Sequence, residues 1–224
     1  MDINYLRGMR MIKRLIFDVD GTLLVNVDFK PFIIKTLEEN GLYTEEHFKG
    51  FLDAIYTYEA EHTSYNSEDY INHLEKHMGC KVPHGFLDMF FKNLEDAIPE
   101  YNSNLVDAIK KLSERYELVL LTNYFSKSQV SRLNNVGIGK YFSKYYGEKV
   151  IKPYKEAYIS ACGTHKPSEC IMIGDNPYLD IECAKNEGLN TILVNTKKVS
   201  TDDLNTIVVD KVEDITIELI DKIC

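Results

Sequence analysis

The stretch Leu15-Ile16-Phe17-Asp18-Val19-Asp20-Gly21-Thr22-Leu23-Leu24 constrains the fold more than any other part of the chain. A short apolar run of β-branched and aromatic residues reads as a buried strand. It ends at two carboxylates two positions apart, and Gly21 follows, able to take backbone angles closed to other residues. Open α/β sheets place reacting groups just beyond the carboxyl ends of their strands, where this pair falls. While the extended conformation lasts, Asp18 and Asp20 project to the same side. Two carboxylates so close repel unless a shared proton or a cation relieves them. Oxygen-only ligation suits Mg²⁺, so a divalent metal is the simpler remedy.

The remainder of the chain reads as α/β with one interruption. The first strand covers roughly Lys13 to Val19, and Met1 to Met11 fringe the domain, with room for a short leading helix. From about Asp28 to Ile98 the apolar residues repeat at helical spacing four times in succession. Phe29, Phe32, Ile33 and Leu37 mark the first helix, and Phe48, Phe51, Leu52, Ile55 and Tyr56 the second. Tyr70, Ile71, Leu74 and Met78 mark the third, with Ser67 as its expected N-cap and Gly79 past its end. Phe86, Leu87, Phe90, Phe91 and Leu94 mark the fourth. Four consecutive helices cannot alternate with the strands of a parallel sheet, so residues 28–98 read as an inserted helical subdomain.

After Pro99 the alternation resumes. A helix through Leu105, Ile109 and Leu112 precedes the strand Leu118–Leu121, and Ser126 is the expected cap of a helix that stops at Gly137. A weak strand is expected at Tyr145 to Glu148, a helix at Ala157 to Cys162, and a strand at Cys170 to Ile173. A helix over Leu179 to Glu187, strands at Thr191–Val194 and Ile207–Val209, and a closing helix over Ile215 to Ile223 complete the succession. The expected fold is a doubly wound, Rossmann-like, mostly parallel sheet with helices on both faces. Residues 1–27 and 99–224 form its core domain. No G-x-G-x-x-G and no Walker A sequence occurs, which argues against a dinucleotide enzyme or a P-loop NTPase.

Three further strand ends carry chemistry. Thr122-Asn123 places a hydroxyl after Leu120-Leu121, and Lys152-Pro153 sets a cation in a rigid turn before a helix. Gly174-Asp175-Asn176-Pro177-Tyr178-Leu179-Asp180 offers two carboxylates five positions apart. Singly, each has a plain explanation as a loop cap, a solvated cation or helix-start acids. In this order, each at or just after a strand end, they resemble motifs I to IV of the haloacid dehalogenase (HAD) superfamily of phosphotransferases. The stretch Ile171 to Asn195 is especially like that family, and the helical insert resembles its cap domain of the type placed after motif I.

The resemblance implies Asp18 as nucleophile, Asp20 as general acid and base, and Thr122 and Lys152 as holders of the phosphoryl oxygens. It implies Mg²⁺ ligated by the Asp18 carboxylate, the Asp20 backbone carbonyl and the Asp175 carboxylate. Asp180 then orients Lys152 or the metal's waters, and Asn123 adds a phosphate contact. Lys155 is the rival to Lys152; Lys-Pro followed by a helix is the family pattern. Dehalogenases of the family usually lack an acid at the Asp20 position, because a halide leaves without a proton, so an aspartate there favours phosphate esters. The expected activity is hydrolysis of a small phosphate monoester. A phosphomutase of the β-phosphoglucomutase type, a non-catalytic binding protein on the same fold, and a receiver-like signalling domain are the alternatives.

Partners and compartment follow from composition. Across 224 residues, 35 acidic against 26 basic side chains give a formal charge of −9. That argues against nucleic acid or an anionic membrane as the main partner. The five cysteines form no Cys-x-x-Cys pair, no Asn-x-Ser/Thr sequon occurs, and Met1 to Lys13 lacks the apolar centre of a secretory signal. A reducing cytoplasm and a monomer or homodimer are expected. The cap lysines Lys30, Lys49, Lys76, Lys81 and Lys92, with His62 and His84, read as solvated faces, and Tyr56, Tyr58, Tyr65, Phe90 and Phe91 as core.

Overall fold

The computed structural model describes residues 11–201 and 204–223, so the reading of Met1 to Met11 falls almost entirely outside the described residues. Six strands form one parallel sheet: β1 (Arg14–Phe17), β2 (Glu117–Leu121), β3 (Phe142–Tyr146), β4 (Cys170–Gly174), β5 (Asn190–Val194) and β6 (Ile207–Val209), in the order β3-β2-β1-β4-β5-β6. β1 is central, in register with β2 through Ile16 and Val119 and with β4 through Ile16 and Met172. Because every strand runs the same way, the residues after β1, β2 and β4 emerge on one edge, where a doubly wound sheet binds its ligands.

Alternation along the strands divides the core in two. Leu15, Phe17, Leu118, Leu120, Ile171 and Ile173 face α5 (Ser103–Ser113), whose Leu105, Ile109 and Leu112 complete that layer. Ile16, Val119, Leu121 and Met172 face α7 (Lys155–Cys162) through Ala157, Tyr158 and Ala161. A side chain such as Phe17, with no exposed surface, contributes about 1.5–3 kcal/mol by burial alone.

The helical insert has its own apolar centre. Helices α1 (Lys30–Glu39), α2 (Glu45–Glu61), α3 (Ser67–Met78) and α4 (Phe86–Leu94) bury Ile33, Phe51, Tyr58, Tyr70, Leu74 and Phe90 against one another. Phe51 meets the edge of Phe90 with ring centroids 4.9 Å apart. The cluster continues beyond these helices to Phe125 and Ile151, and backbone bonds join the helices to the loop after β3: Tyr65 N–H to Glu148 O at 2.7 Å and Ile151 N–H to Thr63 O at 3.0 Å.

Several boundaries differ from the sequence reading. The N-cap of α3 is Asn66, not Ser67; its side chain accepts from the Asp69 N–H. Ser126 is the first residue of α6 (Ser126–Asn135), and its N–H is capped by the Glu148 carboxylate at 2.8 Å. β3 begins earlier than expected because Phe142 anchors an edge strand whose Ser143 and Lys144 face solvent. Residues Pro177–Glu182 form a π-helical turn, started by Asn176 Oδ1 accepting from the Tyr178 and Leu179 N–H groups, before α8 (Cys183–Asn186). The closing helix, α9, spans only Ile217–Ile220.

Candidate active site

The centre of the site is a buried ammonium between two carboxylates. Lys152 Nζ donates to Asp18 Oδ1 at 2.8 Å and to Asp180 Oδ1 at 2.6 Å, and all three side chains are buried. The Thr22 hydroxyl donates to Asp18 Oδ2 at 3.4 Å. Asp180 Oδ2 accepts from the Asn176 N–H at 3.0 Å, so both of its oxygens are committed. Burial works against the Lys152 charge, but the two carboxylates overcome it and hold the ammonium above the ordinary lysine range. Burial pushes the Asp18 carboxyl up to about 7; Lys152 opposes the rise, and Asp180 and Asp175 add to it. Lys155 points elsewhere, exposed and paired with Glu187 at 3.5 Å.

Asp175 lies across Gly21. A Cβ at Gly21 would stand 2.6 Å from Asp175 Oδ2, and Gly21 holds φ +90°, so only glycine fits this turn. Asp175 Oδ2 is buried without a hydrogen bond; Lys197, largely exposed, pairs with it at 2.6 Å. Carboxylate oxygens of Asp18, Asp175 and Asp180 come within 4.8 Å of one another. In the turn after β1 the backbone N–H groups bond to Val19 O and Leu24 O, leaving the Asp20 carbonyl out of the pattern. Two hard carboxylates, one without a hydrogen bond on a buried oxygen, and an uncommitted carbonyl fit Mg²⁺.

Asp20 turns away from this cluster, toward α6. Its Oδ2 accepts from Gln129 Nε2 at 2.8 Å, and Oδ1 pairs with Arg132 Nη1 at 2.8 Å off the line a hydrogen bond requires. Arg132 is buried: Nε donates to Ala97 O at 2.8 Å, Nη1 to Gln129 Oε1 at 2.8 Å, and the guanidinium lies 4.9 Å from the Phe29 ring centroid, while Nη2 has no hydrogen-bond partner. Gln129 also reaches the Thr122 hydroxyl at 3.4 Å. Phe29 and Ala97 lie where the chain enters and leaves the helical insert, so one buried arginine ties Asp20 to both crossings. Neither Gln129 nor Arg132 was singled out in the sequence. The available signal was polar residues in phase with Leu133 on the buried stripe of α6.

Asn123 is placed differently from expectation. Its Oδ1 accepts from the Lys152 N–H at 2.7 Å, while Nδ2 donates to Lys152 O and to Glu59 Oε2, both at 2.9 Å. The side chain clamps the Lys152 backbone and links it to the insert; with both amide hydrogens used, it has none left for a phosphate. Between insert and core, starting at Asp20, lies a cavity of about 400 Å³ walled by Ile33, Leu52, Ile55, Phe90 and Leu94. Its charged lining is Asp20, Asp28, Lys30, Glu59 and Arg132. Tyr65, buried, donates to Glu59 at 2.8 Å, whereas Tyr56, read from the sequence as core, is exposed at the cavity rim.

A family model described as hydrolase, haloacid dehalogenase-like hydrolase, matches residues 12–188. The chain belongs to the haloacid dehalogenase-like hydrolases. Solved structures share the fold. The HAD-hydrolase YfnB from Bacillus subtilis, bound to magnesium, superposes with a TM-score of 0.64 at 21% identity, covering 91% of this chain and 96% of that one. A HAD phosphatase from Thermococcus onnurineus gives 0.63 at 20% identity, covering 90% and 94%. The L-2-haloacid dehalogenase from Xanthobacter autotrophicus with covalently bound chloropropionic acid gives 0.60 at 17% identity, covering 91% and 96%. No curated protein matches the chain. Among the described residues, no helix is long and apolar enough to cross a membrane.

Proposed function

We propose that this protein is a Mg²⁺-dependent phosphatase that hydrolyses a small phosphate monoester through an aspartyl-phosphate on Asp18. The observation that carries the reading is the division of labour between two carboxylates: Asp18 is held by Lys152, while Asp20 is held apart by Gln129 and Arg132. Asp18 attacks phosphorus in line and divides one hard displacement into two easier ones. Asp20 protonates the departing alkoxide and then takes a proton from the water that attacks the aspartyl-phosphate. Lys152 uses two of its three N–H donors on carboxylates, leaving one for a phosphoryl oxygen, and the Thr122 hydroxyl serves a second. Asp180 fixes the ammonium. Mg²⁺ held by Asp18, Asp175 and the Asp20 carbonyl would supply the positive charge that lets an anionic nucleophile meet an anionic substrate.

Asp20 favours phosphatase over dehalogenase chemistry, since a halide needs no proton on leaving. The cavity wall is mostly apolar, and its cations are Lys30 and Arg132, the latter with Nε and Nη1 bonded and Nη2 without a hydrogen bond. We read residues 28–98 as a cap that shelters the site and limits substrates to compact metabolites. The test is release of p-nitrophenol from p-nitrophenyl phosphate. Turnover in Mg²⁺, lost in EDTA and in Asp18→Asn, supports the reading; turnover equal in Mg²⁺ and EDTA refutes it.

A further inference from the structure

Outside the site, α2 and α3 bring a second set of ligand-forming side chains together. His73 and His77 stand one turn apart on α3 with ring centroids 4.5 Å apart, and Glu61 lies at the end of α2. One ligand atom from each comes within 4.8 Å of the other two. None of the three bonds to Asp18, Asp20, Lys152 or Asp175.

The hydrogen bonds fix where the imidazole lone pairs point. His77 Nδ1 lies 2.9 Å from Asp53 Oδ2, and a carboxylate only accepts, so Nδ1 carries the hydrogen and Nε2 the lone pair. The Thr57 hydroxyl donates its single hydrogen to Asp53 O at 2.8 Å. Its oxygen therefore has none to give His77 Nε2, 3.4 Å away, and must accept from His73 Nε2 at 3.0 Å. That leaves His73 Nδ1 with a lone pair facing Glu61 Oε2 at 3.7 Å.

We propose that His73, His77 and Glu61 form a second metal site, in the helical insert, for a borderline divalent transition ion such as Zn²⁺. Two imidazoles and a carboxylate suit Zn²⁺ rather than the oxygen-seeking Mg²⁺ of the catalytic cluster. Asp53 behind His77 supplies the outer carboxylate that orients a metal-bound histidine. Glu61, half exposed, gives the ion an entry path and the freedom to close the ligand set to metal-bonding distance. Its present partner is Lys76 at 3.1 Å, a flexible, exposed ammonium that an ion would displace. Binding would tie the end of α2 to α3, beside the Thr63–Tyr65 segment that bonds to the Lys152 loop. The proposal is independent of the phosphatase reading.

The test is titration of the full-length protein with Co²⁺, followed by its visible ligand-field absorption, in excess Mg²⁺ to occupy the catalytic carboxylates. One Co²⁺ displaceable by Zn²⁺ is expected, with affinity reduced at least tenfold in Glu61→Gln and in His77→Gln. Both positions are at least partly exposed, so the variants should fold. Lys76→Ala should bind more tightly, because the competing ammonium is gone, and His84→Ala should match the wild type. Absence of Co²⁺ binding, or an affinity unchanged in both Glu61→Gln and His77→Gln, overturns the proposal.

Discussion

Replacing the nucleophile should stabilise the metal-free protein while abolishing turnover. Asp18 is surrounded by burial, Asp180 and Asp175, and its carboxyl rises from 3.8 to about 7 even with Lys152 in contact. A displacement of that size corresponds to about 4 kcal/mol against the ionised form. Asp18→Asn removes that penalty, and Lys152 keeps Asp180 as its partner. The folded value already includes the Lys152 hydrogen bond, so its loss is not deducted a second time. The gain at pH 8 is therefore up to about 4 kcal/mol, or up to about 8–16 °C in Tm for a chain of this size. Because the folded-state value is raised, the contribution of Asp18 to stability is intact below the unfolded value near 4 and is lost as the pH climbs to about 7. Thermal unfolding in EDTA should thus show Asp18→Asn overtaking wild type between pH 4 and 7, with a constant lead above. Added Mg²⁺ should raise the wild-type Tm and leave the variant nearly unmoved. A variant less stable than wild type by the same margin at pH 5 and pH 8 would refute the electrostatic reasoning.

Other perturbations probe the neighbouring parts. Lys152→Met should cost about 3–5 kcal/mol in urea unfolding, because Asp18 and Asp180 lose their shared cation, and phosphatase activity should vanish with it. Asp20→Asn should slow the first step, transfer to Asp18 followed by rapid quench, by about 10²–10⁴-fold for an alkyl phosphate and far less for p-nitrophenyl phosphate, since a good leaving group needs little protonation. Arg132→Lys should reproduce that leaving-group pattern at smaller amplitude, with kcat falling more than KM changes; an equal loss on both substrates would make Arg132 purely structural.

The parts of the site that could be read from the sequence are those fixed locally. Asp18, Thr122 and Asp175 each terminate a buried apolar run, and parallel strands place all such ends on one edge, so convergence follows from topology. Lys152 was separable from Lys155 only by its proline neighbour. The bonds that could not be read join distant segments. Gln129 and Arg132 sit on a helix whose pattern marks only Val130 and Leu133, and nothing near them in sequence reveals that Asp20 is their partner. Asn123 stands beside Thr122 and so reads as a phosphate contact, yet its amide matches the backbone of Lys152, a pairing set by how the two loops meet. The π-helical turn at Pro177 was hidden because periodicity over Leu179 to Glu187 fits an α-helix, while the Asn176 side chain decides how the turn begins. The cap helices were legible from their apolar spacing, but the cavity they enclose depends on how they dock.

The most direct test of the central claim is to find the phosphoryl group on the enzyme. Acid quenching during turnover of a phosphate monoester, followed by borohydride reduction and peptide mass spectrometry, should convert Asp18 alone to homoserine, in a Mg²⁺-dependent manner. Turnover with Asp18 unmodified at every quench time, or labelling at another residue, would contradict the account.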